Sequence, residues 1–169
     1  MDERSGTEKI LAVSLILLPL GFGMRWIPAS AEESVVAGHY ERVHQVFEFT
    51  GAGKQYRNAK DGMTIKRIGK GRSRFEINTI ANNGHSCTME GTAKKVTNYL
   101  EYHEVLDVDP VEPGGKSPEC ILKIKPSGES LVLHDVSNNC RMYYCGMRGK
   151  LDGLQFYPAQ LNRKATVKK

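Results

Sequence analysis

Cys87, Cys120, Cys140 and Cys145 carry the most reactive side chains of this 169-residue chain. Their spacing decides what they can do. A structural zinc site wants CxxC pairs or a tight Cys-His mixture, and a dithiol redox site wants CxxC; neither occurs. An even cysteine count behind an export signal argues for two disulfides. Of the three pairings, spacing favours Cys140–Cys145, closing the six-residue segment CRMYYC, with Cys87–Cys120 closing a 34-residue loop. A loop clamped in this way presents Arg141, Tyr143 and Tyr144 rigidly, with Arg148 just beyond. Tyr and Arg are favoured at binding hot spots. By strand alternation, one tyrosine is expected to plug the interior while the other, with Arg141, stays exposed.

A second cluster is basic. Lys66, Arg67, Lys70, Arg72 and Arg74 place five positive charges within nine residues, around the turn Gly69–Gly71. In an exported protein such a cluster suits anionic lipid headgroups, lipopolysaccharide, an acidic glycan or an acidic protein, or simply keeps a hairpin soluble.

Catalytic constellations are missing. GxSxG, HExxH and a Walker A loop do not occur, and Gly51-Ala52-Gly53-Lys54 lacks the spacing and trailing Ser/Thr of a phosphate cradle. His39 and His44 fall on opposite faces of a strand, as do His134 and Asp135, so no local metal pair arises. Asp107, Asp109, Glu104 and Glu112 make an acidic patch without the residue order of a calcium loop. The expectation is therefore a non-enzymatic protein without catalytic residues, cofactor or metal.

The compartment is legible at the N-terminus. Ile10–Met24 is a 15-residue apolar run interrupted only by Ser14, followed by Pro28-Ala29-Ser30-Ala31 with small residues suited to cleavage after Ala31. The run is short for a bilayer span, which needs about 20 residues. Residues 1–31 are thus expected to be a cleaved signal peptide, with an uncleaved anchor as the alternative, and the product to be periplasmic or secreted without stable membrane insertion. Lys and Arg number 24 against 19 Asp and Glu, a net charge of +5, which falls short of a nucleic-acid-binding tail. Nucleic acid is not an expected partner; an envelope protein or an anionic envelope component is. A monomer is expected.

The positioning elements read as β-strands. Met63 and Ile65, Phe75 and Ile77, Cys87, Met89 and Ala93, Leu100 and Tyr102, Cys120, Leu122 and Ile124, and Leu131 and Leu133 alternate with polar neighbours. Gly69–Arg72, Asn82-Asn83-Gly84 and Pro126–Glu129 are turn signals. The stretch containing Tyr40, Val43, Val46, Phe47 and Phe49 fits either helix or strand. Seven or eight short strands without a long helix predict a small disulfide-bonded antiparallel β-barrel or sandwich over residues 32–158, with a basic tail at 159–169.

Three segments, GHSCTMEGTA, the Cys120-x-Leu122-x-Ile124 strand and the ending NCRMYYCGMRGKLDGLQF, resemble a family of small exported proteobacterial proteins with a terminal CR…CG.RG.L.G..F motif. The resemblance covers about residues 60–157 and implies an exported disulfide-bonded β-domain. Such proteins are loosely similar to periplasmic lysozyme inhibitors, although the inhibitors' short Ser-Gly loop has only Ser127-Gly128 as a counterpart, followed by Glu129. The expected function is binding in the cell envelope, as an inhibitor of, or immunity factor against, a wall-degrading enzyme. The alternative is a carrier of lipid or a small hydrophobic ligand inside the barrel. A carrier needs an apolar cavity of several hundred Å3; an inhibitor needs a filled core and an exposed rigid element.

Overall fold

The computed structural model describes residues 34–107, 115–146 and 148–160. The expected signal segment, Asp109, Pro110, Glu112 and Pro113 of the acidic Pro/Gly loop, and the tail from residue 161 lie outside them. Eight antiparallel strands follow in order: β1 (Gly38–Thr50), β2 (Gly53–Gly69), β3 (Arg72–Ile80), β4 (Ser86–Val96), β5 (Tyr99–Val105), β6 (Glu119–Ser127), β7 (Ser130–Val136) and β8 (Gln155–Pro158). Each pairs with the next, and β8 returns to β1 through Tyr40 opposite Pro158 and Glu41 opposite Tyr157. The sheet is a closed up-and-down barrel, in which β1 runs beyond its two-residue pairing with β8 and donates there to Asn82 and Asn83.

Alternation explains the interior. Met63 and Ile65 on β2, Phe75 and Ile77 on β3, Met89 and Ala93 on β4, Leu122 and Ile124 on β6, Leu133 on β7 and Phe156 on β8 are all buried in one core. The segment that read as helix or strand is β1, with Tyr40 and Val46 turned inward and Val43 and Phe49 outward. The turns fall where the sequence places them. Asn83, Gly84, Gly71 and Gly128 all take positive φ there, a conformation open to Gly and tolerated by Asn.

The β4–β5 seam does not close by pairing alone. β4 and β5 are laced only from Lys94 opposite Glu101 to Val96 opposite Tyr99. Beyond that, Tyr102 lies across Gly91, where any Cβ would collide with its ring. A short helix, α1 (Asn139–Tyr144), packs at this end of the barrel. Buried Asp135, at the end of β7, accepts hydrogen bonds from the Cys140 N–H (3.1 Å) and the Arg141 N–H (2.8 Å), satisfying donors that a helix start leaves free. The Asn139 side chain donates to the Glu119 carbonyl on β6 at 2.9 Å.

The disulfides correct the sequence-based pairing. They are Cys87–Cys145 and Cys120–Cys140, and no described cysteine is free. Cys140 and Cys145 bracket a helix. Five residues of helical rise separate them by about 7.5 Å, beyond the roughly 7 Å that a disulfide spans between Cα atoms. Cys87 and Cys120 do face inward, as expected, but they sit on β4 and β6 with β5 between, about 10 Å apart at two strand spacings. Each therefore bonds to one end of α1, and the helix is stapled to two strands of the barrel wall.

Chain-entropy arguments give about 4 kcal/mol for the 58-residue separation of Cys87 and Cys145 and about 3 kcal/mol for the 20-residue separation of Cys120 and Cys140. Peptide mapping of the unreduced protein should recover these two pairs. Cys87→Ala/Cys145→Ala should cost more stability in denaturant titration than Cys120→Ala/Cys140→Ala. A recovered Cys140–Cys145 peptide would refute the arrangement.

Candidate functional site

The residues expected on a clamped loop are divided by α1. Tyr144 turns inward and packs against the core, while Tyr143 is exposed and stacks edge-on against it with ring centroids 5.0 Å apart. The inward and outward tyrosines thus exist, but helical geometry and not strand alternation separates them. Arg141 is half-buried: its Nε–H donates to the Gly149 carbonyl at 2.7 Å, tying α1 to the following loop. Arg148 is exposed beyond it. The most open side chain on the helix is Met142, which sequence reasoning passed over.

Tyr144 belongs to a polar knot at the splayed seam. Its hydroxyl and that of Tyr102 both donate to Glu104 Oε2, the latter at 2.6 Å, and the two hydroxyls lie 3.4 Å apart. Burial first, then the hydrogen bond to Glu104, pushes both phenols above their ordinary range. These tyrosines are donors that stay protonated, suited to sealing the wall. The CR…CG.RG segment is structural in the same way. A Cβ on Gly149 would stand 2.7 Å from Cys87 Sγ, so that glycine is required by the disulfide beside it.

A second polar cluster lies inside the barrel at the α1 end. Asp61 on β2 is fully buried and faces Arg42 across the β1–β2 ladder. Arg42 Nη1 donates to its Oδ2 at 2.7 Å, and the Ile80 N–H donates to its Oδ1 at 2.8 Å. His44 Nε2 stands 3.0 Å from Oδ2 but off the line of a hydrogen bond, so it pairs there by charge only when protonated. With Thr79, Asn82 and Lys150 these groups line a recess of about 170 Å3. The sequence signal was available: stepping back by two from Met63 puts Asp61 in the inward row.

The five basic residues expected at the β2–β3 turn are gathered at the opposite end. Only Arg74 has a carboxylate partner among the described residues, Glu90 on β4 at 3.1 Å. Strand register adds Lys94 and Lys95, which sequence reasoning did not connect to the cluster.

A fourth feature was hidden by the ambiguity of β1. The β1–β2 hairpin continues well past the point where β3 leaves β2, and its outer face carries Phe47, Phe49 and Tyr56. Phe49 and Tyr56 are 66% and 62% exposed. The rings pack edge to face around Phe47, with Lys54 Nζ 4.2 Å from its centroid, a cation–π contact. Asn82 and Asn83 accept hydrogen bonds from the Phe47 and Phe49 N–H groups, each at 3.0 Å, pinning the hairpin to the β3–β4 turn. An inner-face ion pair, Arg57 with Glu48 at 2.7 Å, braces it further.

Among the described residues, no three His, Cys, Asp or Glu side chains converge as a metal ligand set, and no helix is long and apolar enough to cross a membrane. No protein-family model, curated protein or solved structure matches the chain.

Two outcomes follow from these buried carboxylates. Asp61→Ala leaves the 30% exposed Arg42 and the Ile80 N–H without their acceptor, a loss of about 1–3 kcal/mol for each unsatisfied group; adding Arg42→Met should return part of that loss in denaturant titration, and strict additivity would refute the pairing. Burial holds the Asp135 carboxyl above its ordinary value, with the two N–H donors opposing. The folded state therefore keeps this proton to higher pH than the unfolded chain. Stability from this group is full below the ordinary carboxylate range and is lost as pH rises through the raised folded value. Relative to Asp135→Asn, the wild type should gain stability as pH falls through that window; a relative loss would reverse the assignment.

Proposed function

We propose that this chain is an exported, non-enzymatic binding protein of the cell envelope. It docks a partner protein through the outer face of the β1–β2 hairpin, and the partner class in view is a wall-degrading enzyme that it inhibits or guards against. One observation carries the reading: the barrel is filled, while its rigid hairpin exposes an aromatic stripe. Phe75, Met89, Leu122, Ile124, Leu133 and Phe156 occupy the interior that a carrier would leave open. A recess of about 560 Å3 lies at the barrel mouth and mixes His39, Glu129 and Ser130 with Tyr40 and Leu131.

The stripe has the makings of a hot spot: aromatic rings of low conformational entropy, held by a braced ladder and therefore already ordered before contact. Lys54 borders it on β2, while Lys60 is paired with Glu41 at 2.6 Å, so its complement is an apolar patch with a carboxylate near Lys54. Two disulfides fit an oxidising compartment, where the apolar run at residues 10–24 would direct the chain.

The test is a matched pair, wild type and Phe49→Ser/Tyr56→Ser, applied to envelope extract and then to the purified partner. The wild type should bind, and slow peptidoglycan lysis by a captured lytic enzyme. The variant should bind about 30-fold or more weakly, as hot-spot loss implies, with an unchanged melting temperature. Equal binding by both proteins would refute the hairpin as the docking face, and an undiminished lysis rate at saturation would refute inhibition.

A further inference from the structure

The basic end of the barrel carries a problem in its own register. Lys66 stands directly opposite Arg74 across β2–β3, and Arg72 directly opposite Lys94 across β3–β4. Like charges placed opposite each other destabilise a sheet. Glu90 pairs with Arg74, and Glu101 stands opposite Lys94 while pairing with Lys123, so Lys66 and Arg72 have no carboxylate partner among the described residues. The remaining cations converge where the Lys95 N–H donates to the Gly71 carbonyl at 2.8 Å, drawing the β4–β5 corner onto the β2–β3 turn. There Arg67, Lys70, Arg72 and Lys95 line a recess of about 300 Å3 whose other walls include Val35 and Leu100, with no acidic side chain among the described residues of its lining. Four cations around an apolar floor need an anion from outside, and one that brings apolar material with it.

The surroundings say which. Ile68 bulges out of register between Arg67 and Gly69 and is 54% exposed, and Val36 is 60% exposed. Cations interleaved with exposed aliphatic side chains suit a lipid–water interface, where phosphates meet acyl chains. Chain connectivity agrees. Ser34 lines the same recess, and only residues 25–33 separate it from the apolar run that ends at Met24. The basic end is thus where the chain enters the barrel, the end nearest in sequence to the apolar run expected to direct export. We propose that this recess is a docking site for the phosphate headgroups of an anionic membrane, independent of the hairpin and facing away from it.

The exported protein, isolated with its native N-terminus, would be sedimented with vesicles of phosphatidylcholine alone or mixed with phosphatidylglycerol. Comparing the two compositions cancels any contribution from a retained apolar run. Binding should favour the anionic vesicles at low salt and fall steeply with ionic strength. Each cation removed should lower that preference about fivefold. Lys70→Gln/Lys95→Gln should therefore lose about 25-fold, while the charge-matched control Lys116→Gln/Lys123→Gln should lose little. Equal loss in the two variants would reduce the effect to net charge and overturn the site. So would no preference for anionic vesicles, or full competition by millimolar inorganic phosphate, which would point to a free-anion site. A further arm concerns Glu32 and Glu33, which precede Ser34 in sequence. If the wild type shows no anionic preference and Glu32→Gln/Glu33→Gln creates one, the recess is filled by the chain's own acidic segment and the proposal fails. Since Lys70 and Lys95 are exposed, circular dichroism should show both double variants folded; if either is not, the single changes Lys70→Gln and Lys95→Gln carry the same comparison.

Discussion

The incompletely laced seam between β4 and β5 is the constraint on which the rest of this barrel depends. A ring of eight strands gains its protection only when every neighbouring pair is closed. Here the Tyr102 ring occupies the space where β4 would otherwise continue along β5, and Gly91 is the residue that makes room for it. The wall is completed by a helix too short to be stable alone. Everything that holds α1 follows from that: a disulfide to β4, a disulfide to β6, the Asp135 carboxylate from β7 and the Glu104–Tyr144 contact to β5. The glycine-rich segment that follows is equally constrained, because Gly149 must pass against Cys87 and Cys145.

With the interior filled, the binding we propose is external, and the two ends of the barrel differ in kind. The α1 end carries apolar surface in Phe49, Tyr56, Met142 and Tyr143. The opposite end carries unpaired cations beside aliphatic side chains. Up-and-down topology makes this separation automatic. The turn after β2 and the corner after β4 meet at one end, whereas the β1–β2 turn and the connection after β7 meet at the other. A close-packed core between them has little freedom to relay strain, so the two surfaces can act as independent contacts.

The sequence made the barrel legible because the inward rows of β2 to β7 alternate cleanly and their turns use Gly and Asn at positive φ. It concealed whatever depends on partners distant in the chain. NCRMYY has no helical periodicity to read. It becomes a helix because Asp135 and two cystines, contributed by three different strands, fix its ends. Local spacing made Cys140–Cys145 attractive for the same reason that it was wrong: six residues can close a loop, but not while they are helical. Asp61 was missed because a charged residue interrupts an otherwise apolar row, and its partner Arg42 lies on a strand whose own pattern was ambiguous. Lys94 and Lys95 look like ordinary outward lysines until register sets one opposite Arg72 and brings the other to Gly71.

These omissions share a cause that bears on how the chain is read. A residue that obeys alternation announces its environment, whereas one that breaks it, an inward aspartate or an outward phenylalanine, announces only that something must compensate. For Asp61 the compensation is internal: Arg42 and the Ile80 N–H satisfy it within the fold. For Glu104 it is internal too, through two tyrosine hydroxyls. The opposed cations Arg72 and Lys94 have Glu101 opposite Lys94, itself paired with Lys123, and the outward rings of Phe49 and Tyr56 lean on Phe47 and Lys54 but stay mostly exposed. A fold that satisfies its inward carboxylates, yet leaves these four exposed groups only partly matched, places its unmet interactions on the surface. A partner can satisfy them there without the barrel having to open.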